Sequence, residues 1–235
     1  MNDNEVSIQH ITDYYTKIDA AGTRPVSVGG DHSVTGGILQ ALGGPQSKLT
    51  GGQPACILHF DAHTDCFSNM KHFLGAKKSA AHWASYLVQQ GNVDAHHSVQ
   101  VGIRGNARTL DWLQPSYEHG YEVITMDRYH QIGAQQSIDI IQQRIGNRPV
   151  YITFDLDCLD PTVAPGVSNI EAGCQGFMMD QVMQLLQAAR GMNIIGGDVV
   201  CLMPTKDSPN NITSMVATAI MFEMISLIAD RQQSS

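Results

Sequence analysis

The chain has 235 residues, 43% of them hydrophobic, and a formal net charge of −8. That size and apolar share suit one globular unit with a single large core, so residues 1–235 read as one domain. The acidic balance disfavours nucleic acid or an anionic membrane as partner and mildly suits a small cationic ligand, and no apolar run reaches the roughly 18 residues of a membrane span.

In chain order, the polar, acidic start "MNDNEVSIQH" does not read as a signal peptide. Ile8 to Ala21 reads as an amphipathic helix with Ile8, Ile11, Tyr15 and Ile18 on one stripe. "PVSVGG" is a short strand into a glycine turn, and Ser33–Leu42 a helix beginning near Ser33. "ACILHF" (Ala55–Phe60) is apolar without alternation, as in a strand of a parallel sheet covered on both faces. "HHSVQVGIR" ends in a strand, "ARTLDWLQPS" reads as a short helix, "YEVITM" as a strand and "SIDIIQQRI" as a helix. "PVYITF" (Pro149–Phe154) is another buried-type strand, "FMMDQVMQLLQAA" a helix and "NIIGGDVVCL" the last strand. The apolar "ITSMVATAIMFEMISLIAD" closes the chain as a core helix rather than a membrane anchor. Strand and helix alternate throughout, which predicts an α/β fold of three αβα layers around a mostly parallel sheet. Five cysteines, odd in number and without a CxxC pair, read as reduced thiols of a cytoplasmic protein, not as a disulfide framework or a thiolate zinc site.

Ligands of such folds bind beyond the carboxyl ends of the strands. "GGDHS", "HFDAHTD", "FDLDCLD" and "CLMPTKD" all follow strands. In extended chain, alternate residues share a side, so Asp61, His63 and Asp65 point together, as do Asp155 and Asp157. With His32, six ligand-type side chains can converge. Four carboxylates in one pocket repel unless cations separate them. This mixed oxygen and imidazole set suits two Mn²⁺ ions, or similar divalent ions, that together activate a water. Cys66 and Cys158 alternate with these ligands and read as packing residues.

"GGDHS" (Gly29–Ser33), "DAHTD" (Asp61–Asp65) and "FDLDCLDP" (Phe154–Pro161) resemble the three signature segments of the ureohydrolases, the family of arginase, agmatinase and formimidoylglutamase. The resemblance covers nearly the whole chain in the family order. It implies the arginase-like αβα fold, two Mn²⁺ per chain, and hydrolysis of a guanidino group to urea and an amine by a metal-bridging hydroxide. It further implies His32, Asp61, Asp65 and Asp155 as ligands of one metal, and His63, Asp61, Asp155 and Asp157 as ligands of the other. Asp65 would also accept and pass on the proton. His82 in "SAAHWASYL" is similar in place to the family's substrate-contacting, proton-shuttling histidine, although Trp83 follows it; the competing reading is a histidine on a helix face. "SVQVGIRG" (Ser98–Gly105) and "APGVSNIEAG" (Ala164–Gly173) look more like agmatinase and guanidino-acid hydrolases than arginase. The family's trimers and hexamers imply a homo-oligomer.

Two departures stand out. Cys201, in "GDVVCLMP", occupies the place of a glutamate that pairs with the substrate guanidinium, a pairing a neutral thiol cannot supply. Cys201 is then either a changed substrate contact or an inert buried residue. The chain also begins close to "GGDHS", where relatives carry several dozen earlier residues, so the fold is expected to lack the usual N-terminal strand. Against an agmatinase-like hydrolase stand two alternatives: a hydrolase of another C–N substrate, such as a formimino or modified guanidino compound, and a catalytically impaired metal-binding homologue acting as scaffold or regulatory subunit.

Overall fold

A computed structural model describes residues 4–67, 77–105, 110–172 and 175–233. The strands are β1 (Val26–Val28), β2 (Cys56–Phe60), β3 (Val99–Ile103), β4 (Glu122–Thr125), β5 (Pro149–Asp155) and β6 (Asn193–Val200). They form one sheet in the order β1-β6-β5-β2-β3-β4, every neighbouring pair parallel. Every residue of β2, β3 and β5 is buried. Continuous apolar runs form these strands because helices cover both faces of the sheet, leaving no solvent side for alternation.

Alternate strand residues feed two cores. Cys56, Leu58 and Phe60 of β2 and Val150, Ile152 and Phe154 of β5 pack beneath α5 (Met126–Ile145), α6 (Met179–Gln187) and α7 (Ile212–Gln233). Ile57, Tyr151 and Ile195 face the other way, onto α2 (Ser33–Leu42) and α3 (Trp83–Gln89). Burying each large apolar side chain contributes about 1.5–3 kcal/mol. Outside this layer, α1 (Asn4–Ala20) lies on α2. Gly37 makes that approach possible, since a Cβ there would stand 2.9 Å from Ile11 and 3.0 Å from the Ile8 carbonyl.

The three-layer parallel architecture expected from the sequence is therefore the one observed, with the three-residue β1 at one edge. Two helices differ from their sequence pattern. The helix expected in "ARTLDWLQPS" is α4 (Gln114–His119), starting where Pro115 fits a first turn; residues 107–109 of that stretch lie outside the described residues. Rather than beginning with "SIDIIQQRI", α5 begins at Met126, with the Thr125 side chain accepting from the Arg128 amide at 3.1 Å. Gly133, at φ 77° and ψ 177°, breaks it into two segments and so hides the single period.

By length and composition α7 could cross a membrane. Here its inner face, with Ala217, Ile220, Met224 and Leu227, is part of the core, while Met215, Phe222 and Ile225 are exposed. Connections after β2 run towards β3, and those after β5 run towards β6 on the opposite side. The carboxyl ends of β2 and β5 thus flank a switch point, where parallel α/β sheets open a crevice.

Candidate metal centre

Phe60 of β2 pairs with Phe154 of β5, so the next residues, Asp61 and Asp155, emerge side by side. The acids after β2 converge, but not by the strand alternation expected from their spacing. The strand ends at Phe60, and Asp65 takes a left-handed backbone, φ 49°. After Asp155 the chain likewise turns into a short 3-10 segment, Leu156–Cys158. The Asp155 side chain accepts the Asp157 amide at 2.9 Å, and Asp157 in turn accepts the Ala62 amide at 3.1 Å, tying the two loops together. From between them Arg104 donates to the carbonyls of Asp157, Cys158 and Leu159.

His32, just before α2, is 1% exposed. Its Nδ1 lies 3.0 Å from Asp61 Oδ2, 3.0 Å from Asp65 Oδ2 and 3.2 Å from Asp155 Oδ2. His63 Nδ1 lies 3.3 Å from Asp61 Oδ1 and 3.2 Å from Asp157 Oδ2. All six residues proposed from the sequence are thus brought together, with Asp61 shared between the two imidazoles. Donor atoms of His32, His59, Asp61 and Asp65, and of Asp61, His63 and Asp157, are each mutually within 4.8 Å, close enough to hold a metal ion.

The surrounding hydrogen bonds test whether a cation fits. Thr153 donates to Asp198 Oδ1 at 2.7 Å, so its oxygen accepts the His32 Nε2 proton at 2.9 Å. The His32 Nδ1 lone pair then faces three carboxylate oxygens, and that nitrogen is buried without a hydrogen-bond partner, as is Asp157 Oδ2. A neutral imidazole nitrogen among carboxylate oxygens is a donor set that a divalent cation satisfies, and that without a cation only an added proton can satisfy.

Five residues absent from the sequence-based set complete the surroundings. Gln100 donates to Thr64 O and to His59 Nδ1, which leaves the His59 proton on Nε2, pointing at Asp61 Oδ2 2.8 Å away. His59 therefore orients Asp61 rather than offering it a lone pair. Trp83 donates its indole N–H to Asp65 Oδ2 at 2.7 Å. Glu171 Oε1 meets His63 Nε2 at 2.9 Å. Asp198, 0% exposed, also accepts from Thr35 and Tyr151. His59 was hidden inside the run "ACILHF", and Glu171 lies in an irregular loop with no spacing signal; a buried acid inside the apolar strand "NIIGGDVV" was the one visible cue to Asp198.

The charges of the metal-free cluster are strongly coupled. Burial alone would raise every carboxyl. At Asp61 the contacts with His32, His59 and His63 outweigh burial and hold the carboxyl well below its usual range. At Asp65 burial and then the Asp61 charge prevail and push it up. Asp157 is pushed well up by burial and by Asp155 and Asp61. Burial opposes a charge on His32 and His63, yet the carboxylates around them raise both imidazoles above their ordinary value. Protons thus fill the role that cations would otherwise take.

His82 caps the start of α3, is 7% exposed, and shares a short hydrogen bond with Ser79 through Nδ1. Cys201 follows β6 directly, with φ 65°. Its amide donates to Gly30 O and its carbonyl accepts from the Ser168 amide. The thiol lies against Asp155 and Ser168, and burial followed by the charges of Asp155 and Asp157 pushes it well up, so it is neutral. Among the described residues three that are not glycine take a left-handed backbone, Asp65, Cys201 and Asn211, and the first two border this cluster, where such strain is common at functional sites. Cys66 and Cys158 are fully buried in the two cores, as packing residues.

Residues 1–226 match the Arginase family model. The chain is 34% identical over 226 residues to a guanidinopropionase of Pseudomonas aeruginosa, covering 95% of this chain and 67% of that one. It is 32% identical over 217 residues to an agmatinase of Photorhabdus laumondii, covering 92% and 64%. Proclavaminate amidino hydrolase of Streptomyces clavuligerus has a similar structure, with a TM-score of 0.85, 28% identity, and coverage of 98% of this chain and 72% of that one. The chain spans about two thirds of the length of the two curated relatives. The signature segments, their convergence at the β2–β5 crevice and these similarities lead to one conclusion: the chain belongs to the arginase family.

Proposed function

We propose that this protein is a metal-dependent amidino hydrolase that converts a small guanidino compound to urea and an amine. The observation that carries this reading is the pair of buried carboxylate–imidazole groups sharing Asp61. Relatives named guanidinopropionase and agmatinase support the substrate class. His32, Asp61, Asp65 and Asp155 would hold one cation, and His63, Asp61, Asp155 and Asp157 the other. Mn²⁺ suits this oxygen-rich set with imidazole and no thiolate. When bound, such a pair supplies a Lewis-acidic centre that makes water nucleophilic near neutral pH.

The protein's own groups account for positioning and proton transfer. Asp65 is buried, with its Oδ2 3.0 Å from His32 Nδ1, and would take a proton from the attacking water and return it. The Trp83 indole holds that carboxylate in one orientation. In the overall change a C–O bond forms at the guanidino carbon, a C–N bond breaks, and the proton taken by Asp65 leaves on the amine. His82 would contact the substrate or relay that proton.

Cys201 supports a second reading of the substrate. A neutral thiol at this place offers no charge-assisted pairing to a guanidinium. This favours a formimino or modified guanidino compound, or a metal-binding homologue of low activity. A urea-release screen of Mn²⁺-loaded protein against agmatine, guanidino acids and arginine, with ammonia and formamide release followed for formimino compounds, separates these cases.

A further inference from the structure

We propose that Glu171 is a positioning residue for the second cation: it holds the His63 ring by Nε2 so that Nδ1 faces Asp61 and Asp157. The inference rests on the two-cation reading above. Glu171 lies 108 positions from His63 in the chain, in the loop between β5 and α6, and its Oε1 stands 2.9 Å from His63 Nε2. An ionised carboxylate only accepts hydrogen bonds, so Nε2 carries the proton and the lone pair of a neutral ring sits on Nδ1. That nitrogen is 3.3 Å from Asp61 and 3.2 Å from Asp157.

The ring is also confined on its flank. A Cβ at Gly105 would stand 2.5 Å from His63 Cδ2 and 2.7 Å from Nε2, so the imidazole lies directly on the Gly105 backbone. Gly105 is itself fixed, its amide donating to the Ala62 carbonyl at 2.7 Å. His63 is thus set by a carboxylate behind it and a bare backbone beside it.

The two imidazoles share an inward Nδ1 but not the same support. His32 is backed by Thr153 and Asp198, both 0% exposed. His63 and Glu171 have side chains 23% and 13% exposed. The core therefore sets the first cation site, whereas a loop contact near the rim sets the second. Removing the Glu171 carboxylate should weaken the second site and leave the first. A carboxylate behind a metal-bound histidine fixes its ring and tautomer, and loss of such a partner typically lowers metal affinity about 10–100-fold.

The test uses metal-free full-length protein, wild type and the variants Glu171→Ala and Glu171→Gln. Mn²⁺ binding is followed by calorimetry, and the magnetic coupling of a Mn²⁺ pair by electron paramagnetic resonance. Wild type should bind two ions and show the coupled signal. Glu171→Ala should keep the first affinity, lose about 10–100-fold on the second and show the uncoupled signal at limiting Mn²⁺. Glu171→Gln, whose amide oxygen still accepts from Nε2, should recover part of the loss. Metal-free far-UV spectra should agree among all three, with Glu171→Ala melting somewhat lower because the contact with His63 is lost. Wild type binding two ions with Glu171→Ala indistinguishable from it would overturn this inference alone. Wild type binding fewer than two ions would overturn the two-cation reading, and this inference with it.

Discussion

The Trp83 indole donates to Asp65 Oδ2 at 2.7 Å, and its ring also lies 4.9 Å from His32 and 5.0 Å from His59, centroid to centroid. One aromatic residue therefore packs against two histidines of the cluster while orienting the carboxylate assigned to proton transfer. Trp83→Phe keeps an aromatic ring and removes the donor. Loss of a hydrogen bond to a charged group should cost about 1.5–3 kcal/mol of stability, read by denaturant melting. Without the donor the Asp65 carboxyl rises further, so the acidic limb of the kcat/KM profile should move to higher pH. An unmoved acidic limb in a variant of full metal content would remove Asp65 from that role.

Asp61 stands between the two imidazoles, with Oδ2 3.0 Å from His32 and Oδ1 3.3 Å from His63. Asp61→Asn should therefore lower occupancy at both cation positions together. Elemental analysis after Mn²⁺ loading and desalting should fall from two equivalents towards none. A variant that retains one full equivalent would show that Asp61 serves a single ion.

The protonation pattern sets a pH dependence with a definite sign. Asp65, Asp157, His32 and His63 all have folded-state pKa values above their ordinary ones. Their contribution to stability is complete below the unfolded values, about 3.9 for Asp and about 6.5 for His, and is lost as pH rises through the folded values. Asp61 is lowered; its contribution is complete above about pH 4 and adds no slope at higher pH. Metal-free protein should thus lose stability progressively as pH rises above about 4, with the histidines adding to the loss above about 6.5, while Mn²⁺ affinity rises as the competing protons leave. Thermal melts with and without Mn²⁺ across this range should diverge with increasing pH. A metal-induced shift in melting temperature that shrinks with pH would contradict this assignment.

Cys201 already occupies a left-handed backbone position, so a glutamate there meets no strain that the cysteine does not. Cys201→Glu should improve hydrolysis of agmatine. A buried ion pair lost or regained is worth about 3–5 kcal/mol, so the upper bound in kcat/KM is on the order of 10²–10⁴-fold. The carboxylate also needs room beside Asp155, which reduces the gain. Efficient wild-type agmatine hydrolysis, with a neutral or harmful Cys201→Glu, would show that another residue anchors the guanidinium.

Much of the fold was legible because burial on both faces leaves an unbroken apolar signature, as in Cys56–Phe60 and Pro149–Asp155. The acids at the ends of those strands were legible for a related reason, since charge directly after a buried run needs a partner. Their geometry was not: Asp65 reaches the cluster through a left-handed turn that no spacing rule anticipates. The groups that orient the candidate ligands were harder to see. His59 sits mid-strand, Trp83 looks like core, and Glu171 enters from an irregular loop far along the chain. Each became apparent only when its hydrogen-bond partner was placed. The split of α5 at Gly133 was similarly masked, because one glycine in a polar helix resembles a tolerated interruption.

The most direct measurement is urea release by Mn²⁺-loaded protein across agmatine, guanidinopropionate, other guanidino acids and arginine, run beside metal-free protein and Asp155→Asn. At least one guanidino compound should yield urea and its amine in equal amounts, with no release from the metal-free protein and strongly reduced release from the variant. Wild-type protein that binds two Mn²⁺ ions yet frees no urea from any of them would contradict the assignment of this site to amidino hydrolysis.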